Sequence, residues 1–180
     1  MDATERQRVI DDLATSRTGL LNSVGSLTHP QWNFRAAADQ WSPSEIVEHV
    51  VLVENRILGA IQKMLTRPPE PERTALLAEK DALILHLPDR KTRFPAPEPV
   101  VPKGAWPEPA DLLSEFERTR QNTLKFATET DGDLRGRAFP HALFGDLDCY
   151  QWLLLLGRHC VRHTAQIDEV KANASFPAAL

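Results

Sequence analysis

Ten of the chain's fourteen prolines fall between residues 67 and 110, at positions 68, 69, 71, 88, 95, 97, 99, 102, 107 and 109. Each removes a backbone donor and fixes its own φ, so no long helix and no inner strand can cross that stretch. The segment therefore reads as an extended crossover of more than forty residues, a length that in a compact domain usually wraps the body or carries function. Arg73 to Leu85 leaves room for a short helix inside it, whereas Phe94-Pro-Ala-Pro-Glu-Pro-Val-Val-Pro102 is expected to be extended.

Helical periodicity flanks the crossover on both sides. Val9, Ile10, Leu13, Leu20, Leu21 and Val24 place one apolar face on a helix from about Thr4 to Leu27, which Gly19 and Gly25 weaken slightly. Trp41-Ser-Pro-Ser-Glu45 is a start signal for a second helix, with Ser42 at the N-cap, Pro43 at the first helical position and Glu45 three residues after the cap. Ile46, Val50, Val53, Ile57 and Ile61 then continue at spacings of three and four until the helix ends near Arg67, before Pro68-Pro69. A third helix runs from Pro109 to about Thr128 through Leu112, Phe116 and Leu124, and Asp131-Gly132 breaks the chain after it. A loop over 134–146 precedes a fourth helix from about Leu147 to Asn173, whose stripe is Trp152, Leu156, His159, His163, Ile167 and Val170. No strand-like alternation of convincing length is visible, and no internal repeat. The fold expected is all-α, a four-helix bundle with one long Pro-rich crossover between helices two and three, in a single domain over residues 1–180.

Composition narrows the function classes. Hydrophobic residues at 42% and charged residues at 26% suit a packed globular core. A net charge of -4 with scattered Lys and Arg offers no basic field to a phosphate backbone, so nucleic acid is not an expected partner. The N-terminus shows no apolar core of a signal peptide, and the uncharged run from Trp152 to Gly157 is too short to span a bilayer. Cys149 and Cys160 lie eleven residues apart along one helix, too far apart to bridge, and read as reduced thiols of a cytoplasmic protein.

The chemistry-bearing residues sit inside the apolar stripes. His159 and His163, four residues apart, share one face of the fourth helix, and such a pair can offer two nitrogens to one metal ion. By itself this spacing is common. His49 adds a third imidazole on the apolar face of its own helix, three residues after Ile46 and four before Val53. Three imidazoles in one core are costly unpaired but favourable around a cation, and three nitrogen ligands leave a coordination position open, as catalytic sites do. Glu45, four residues before His49, either closes the capping box or serves as an acceptor or general base at the site. Gln166, three residues beyond His163, either reaches a bound water or substrate or stays a polar residue at the stripe edge. Cys160 points about 100° away from its neighbour His159 and reads as a small core residue. His141 reads as packing in its loop or lining a pocket mouth, His29 and His86 as solvated, and the four tryptophans as anchors.

At these residues the sequence resembles the DinB-like superfamily, in particular its YfiT-like branch of metal-dependent hydrolases and thiol S-transferases. Trp41-Ser-Pro-Ser-Glu-Ile-Val-Glu-His49 is similar to that family's entry into its second helix, ending in the first metal histidine. Arg158-His-Cys-Val-Arg-His-Thr-Ala-Gln-Ile167 is similar to its last helix, and the Pro-rich crossover and Pro140-His-Ala-Leu-Phe-Gly145 fit the same pattern. The resemblance implies an up-down-down-up bundle with a divalent ion, zinc or nickel, on His49, His159 and His163. It also implies a small-molecule substrate and a homodimer. Two activities follow: transfer of a low-molecular-weight thiol such as bacillithiol or mycothiol to an electrophile, or hydrolysis by metal-bound hydroxide. A non-catalytic metal-binding stress-response protein is a third reading.

Overall fold

The computed structural model describes residues 1–87 and 95–179. Four long helices form its body: α1 (Ala3–Val24), α3 (Pro43–Leu65), α6 (Pro109–Glu129) and α7 (Cys149–Lys171). Shorter pieces lie between them: α2 (His29–Trp32), α4 (Pro71–Thr74), α5 (Asp81–Leu85) and the strands β1 (Ala138–His141) and β2 (Gly145–Asp148).

Local chemistry starts these helices. Asp2 with Glu5, Ser42 with Glu45, and Asp148 with Gln151 each close a reciprocal capping box, so three of the long helices begin with orphan N–H groups satisfied by side chains. The fourth, α6, has no side-chain cap and starts at Pro109, whose missing N–H leaves one orphan fewer.

Partner residues on facing helices give the directions. Along α1 and α7 they rise together, from Asp12 with Arg158 through Ser16 with Cys160 to Ser23 with Asp168, so these two helices are parallel. They also rise together along α3 and α6, where Glu54 meets Arg120 and a surface cleft joins Gln62 to Glu129. Between α1 and α6 they run in opposite senses, Arg6 bonding to the Ala127 carbonyl and Arg17 to Glu117. The order is therefore up, down, down, up, and the crossover exists because α3 and α6 point the same way. Gly157 lies where α7 crosses α1 closely; a Cβ there would sit 3.0 Å from that of Asp12.

The core falls into two apolar halves. Val9, Leu13, Ile61, Leu134, Leu147 and Leu153 belong to one. Leu20, Ile46, Val50, Leu112, Phe116 and Ile167 belong to the other. Emptying one such position, as in Phe116→Ala, costs about 3–5 kcal/mol. Among the described residues, no helix is long and apolar enough to cross a membrane.

The structure corrects the sequence reading in four places. The loop expected over 134–146 contains a hairpin, Ala138 pairing with Asp148 and His141 with Gly145. Its strands are too short to show alternation, and Pro140 is tolerated because a two-stranded sheet has only edges. Gly145 turns the chain at φ +64, and Trp152 ties the hairpin to α7 by stacking on Phe139 at 4.5 Å and donating Nε1–H to its carbonyl. The helix expected over Arg73 to Leu85 is broken into α4, a 3-10 turn at Leu77–Lys80, and α5. The stretch expected to be extended holds a 3-10 turn at Glu98–Val100; Phe94, its first residue, lies outside the described residues. The first helix stops at Val24 rather than Leu27, and the short α2 follows.

Candidate metal centre

His49 is brought in by α3 and the histidine pair by α7, one turn apart on its buried face. The three imidazoles meet between these antiparallel helices, with ring centroids 5.1 Å apart for His49 and His159, 4.7 Å for His49 and His163, and 4.3 Å for His159 and His163. One ligand nitrogen from each lies within 4.8 Å of the other two. His49 and His163 are buried; His159 keeps part of its surface exposed and marks the open side.

Hydrogen bonds set which nitrogen two of the rings offer. The Val100 carbonyl lies 2.8 Å from His49 Nδ1 and can only accept, so Nδ1 carries the proton and Nε2 keeps a lone pair. The Gln166 Oε1 lies 2.9 Å from His163 Nδ1 and has the same effect there. The freed His163 Nε2 faces His159 Nε2 at 3.1 Å. Two nitrogens that close either share one proton or serve one cation together. Burial lowers the His49 pKa below its usual 6.5, against the opposing pull of the Val100 carbonyl. His159 is lowered well below 6.5, first by burial and then by the unfavourable charge interaction its protonated form would have with His163, His49, Arg162 and His141. Neutral imidazoles with directed lone pairs fit a divalent first-row ion. Metal–nitrogen bonds of about 2.0–2.1 Å in a tetrahedral site hold ligand nitrogens about 3.3–3.4 Å apart, so the rings would close by up to about 1.4 Å around an ion.

The other sequence candidates fall at various distances from this cluster. Glu45 stands in its capping box: Oε2 accepts the Ser42 N–H at 2.9 Å and Oε1 accepts from Arg35 at 2.5 Å. Gln166 touches the cluster through His163. Cys160 is buried and its thiol faces the Ser16 carbonyl on α1, away from the triad. Cys149 is a buried free thiol whose pKa burial pushes up to about 12. His141 packs between Phe144 and Trp152, its Nδ1 accepting the Leu143 N–H, while His29 and His86 are exposed.

Sequence reading missed Glu48, Val100 and the Glu54–Arg120 pair. Glu48 is 2% exposed and accepts the backbone N–H groups of Lys103, Gly104 and Ala105. Glu54 and Arg120 form a buried ion pair at 2.8 Å. Glu54 sits four residues after Val50 and Arg120 four after Phe116, both on apolar stripes, but a long charged side chain there can also reach water. Val100 acts through its carbonyl, which no side-chain pattern announces.

Comparison with known proteins supplies the relatives. Residues 12–167 match the family profile of the DinB superfamily. The chain is 26% identical over 151 residues to the uncharacterized protein YuaE of Bacillus subtilis (strain 168), covering 83% of this chain and 89% of YuaE. YfiT from Bacillus subtilis, whose solved structure is described as a probable metal-dependent hydrolase with an unusual four-helix bundle topology, aligns with a TM-score of 0.63. That alignment covers 98% of this chain and 91% of YfiT at 17% identity, and shows a shared fold.

Proposed function

The chain belongs to the DinB superfamily, and from that premise we propose that it is a metal-dependent transferase moving a low-molecular-weight thiol onto a small electrophile. The observation that carries this reading is the triad itself, three converging imidazoles, two of them with directed nitrogens, and no carboxylate among the converging groups of the described residues. A bound zinc or nickel ion supplies positive charge that favours a thiolate at neutral pH.

The chain's own residues do the rest. His49, His159 and His163 hold the ion, Val100 and Gln166 keep two of the rings in the Nδ1–H form, and the exposed edge of His159 leaves an approach from solvent. Acidic side chains on α3 are committed elsewhere: Glu45 to its cap and Arg35, Glu48 to backbone N–H groups, Glu54 to Arg120. A thiol that loses its proton to bulk water needs no protein base, and this arrangement suits it.

Hydrolysis is the second reading, favoured by the description of YfiT as a probable metal-dependent hydrolase. One screen separates the two: the zinc- or nickel-loaded protein is given a panel of electrophiles with and without several small thiols. Consumption that requires the thiol and stops on chelation is the expected result. Consumption without thiol transfers the assignment to hydrolysis, and an inert protein in both arms overturns catalysis.

A further inference from the structure

Glu48 and His49 are adjacent on α3, so their side chains diverge by about 100° and address different neighbours. Both nevertheless grip the same returning stretch of the crossover. His49 Nδ1–H donates to the Val100 carbonyl at 2.8 Å. Three residues later, the backbone N–H groups of Lys103, Gly104 and Ala105 converge on the Glu48 carboxylate at 2.9, 3.0 and 3.2 Å. Gly104 takes φ +74, the left-handed conformation that curls successive N–H groups into an anion-holding concavity. A short closed ring results, running from His49 to Val100, along the chain to the concavity, and through Glu48 back to His49.

We propose that Glu48 is a positioning residue for the metal centre: by fixing residues 103–105 it holds the Val100 carbonyl against His49, which sets the ring's tautomer and aims Nε2 at the ion. The inference rests on the triad being the metal centre. The chemistry is specific to a carboxylate. Both oxygens are used, Oε1 by Lys103 and Ala105 and Oε2 by Gly104, so an amide in its place would turn an NH2 group toward a backbone N–H. Partners that orient metal histidines in this way typically carry about 10–100-fold in metal affinity.

The test compares wild type with Glu48→Gln, Gly104→Ala and the control Glu98→Gln, which removes an exposed carboxylate of the same stretch. A Cβ at Gly104 would meet nothing within 4 Å, so that variant acts through backbone strain alone and keeps the Glu48 carboxylate. Two quantities are read on full-length protein: zinc affinity by dye competition, and the ring ¹⁵N shifts of His49 in the metal-free form. Glu48→Gln and Gly104→Ala should each weaken zinc binding at least about tenfold and shift His49 away from the Nδ1–H pattern, with helical content retained and Glu98→Gln unchanged. Unaltered affinity and unaltered shifts in both variants would overturn the inference. Should Glu48→Gln not fold, Gly104→Ala decides by the same two readings. Should wild type bind no zinc, the metal-centre reading falls, and the His49 shifts alone decide whether Glu48 positions the ring.

Discussion

Two buried polar clusters sit in this bundle, and they are satisfied in different ways. Where the two apolar halves of the core meet, the Arg120 guanidinium donates to both oxygens of Glu54, to the Leu13 carbonyl and to the Ser16 hydroxyl. Burial opposes the Arg120 charge, the Glu54 carboxylate supports it, and the support wins. That cluster is neutral overall and completed by the chain. The triad of His49, His159 and His163 is open to solvent at His159, and its ring nitrogens converge with no carboxylate among the grouped ligand atoms of the described residues. A buried ion pair completed within the chain is structural; a cluster of converging ligand nitrogens is a candidate site for a guest.

The largest expected effect breaks the second cluster and spares the first. His163→Ala should abolish tight zinc or nickel binding and any ion-dependent turnover, while helical content and cooperative melting in chelator survive. In the wild type, an ion at a hundred times its Kd adds about 2.7 kcal/mol of stability, and this increment should vanish in the variant. Elemental analysis and melting with and without zinc check it. Acid should break the same cluster. Burial holds His49 and His159 below their ordinary 6.5, so as pH falls the unfolded chain takes up protons before the folded one does. Stability of the metal-free protein that is present above about pH 6.5 is therefore lost as pH falls through the depressed values, and the ion leaves over the same window.

The converse experiment breaks the first cluster and spares the second. Glu54→Gln leaves the Arg120 charge buried without its counter-ion, at a cost of about 3–5 kcal/mol. Denaturant unfolding should show the same loss in chelator and in zinc, because the pair lies outside the triad. A loss that zinc restores would mean the two clusters are coupled.

Gln166 should produce a smaller effect confined to the site. Gln166→Ala removes the acceptor that keeps His163 in the Nδ1–H form, and zinc affinity should fall by about 10–100-fold with stability in chelator little changed. Unchanged affinity, measured by dye competition, would show that His163 is oriented by packing alone.

The contrast between the clusters also marks where the sequence was legible. Four amphipathic stripes and the Ser42-Pro-Ser-Glu45 box announced the long helices, because periodicity and capping are local. The triad was visible for a related reason: a histidine inside an apolar stripe violates the pattern that surrounds it. Glu54 and Arg120 violate their stripes too, but a long charged side chain can usually snorkel out to water, so position alone does not announce burial. Glu48 and the hairpin were hidden because their partners are backbone groups. The N–H groups of 103–105 lie more than fifty residues from Glu48, and four-residue strands carry no period.

Glu45 offers the finest division between the two kinds of polar group, since it stands on the histidine-bearing helix yet is satisfied in the structural manner. Its oxygens serve the Ser42 N–H and Arg35, and glutamine can hold the same capping position. Glu45→Gln should therefore cost only the exposed Arg35 ion pair, about 0–1 kcal/mol, and leave zinc affinity and the pH profile of any turnover unchanged. A carboxylate acting as general base gives the opposite signature: turnover collapses in the glutamine variant while melting and metal content hold. Measuring turnover across pH for wild type and variant decides between these, and a collapse would mean that Glu45 leaves its cap when substrate binds.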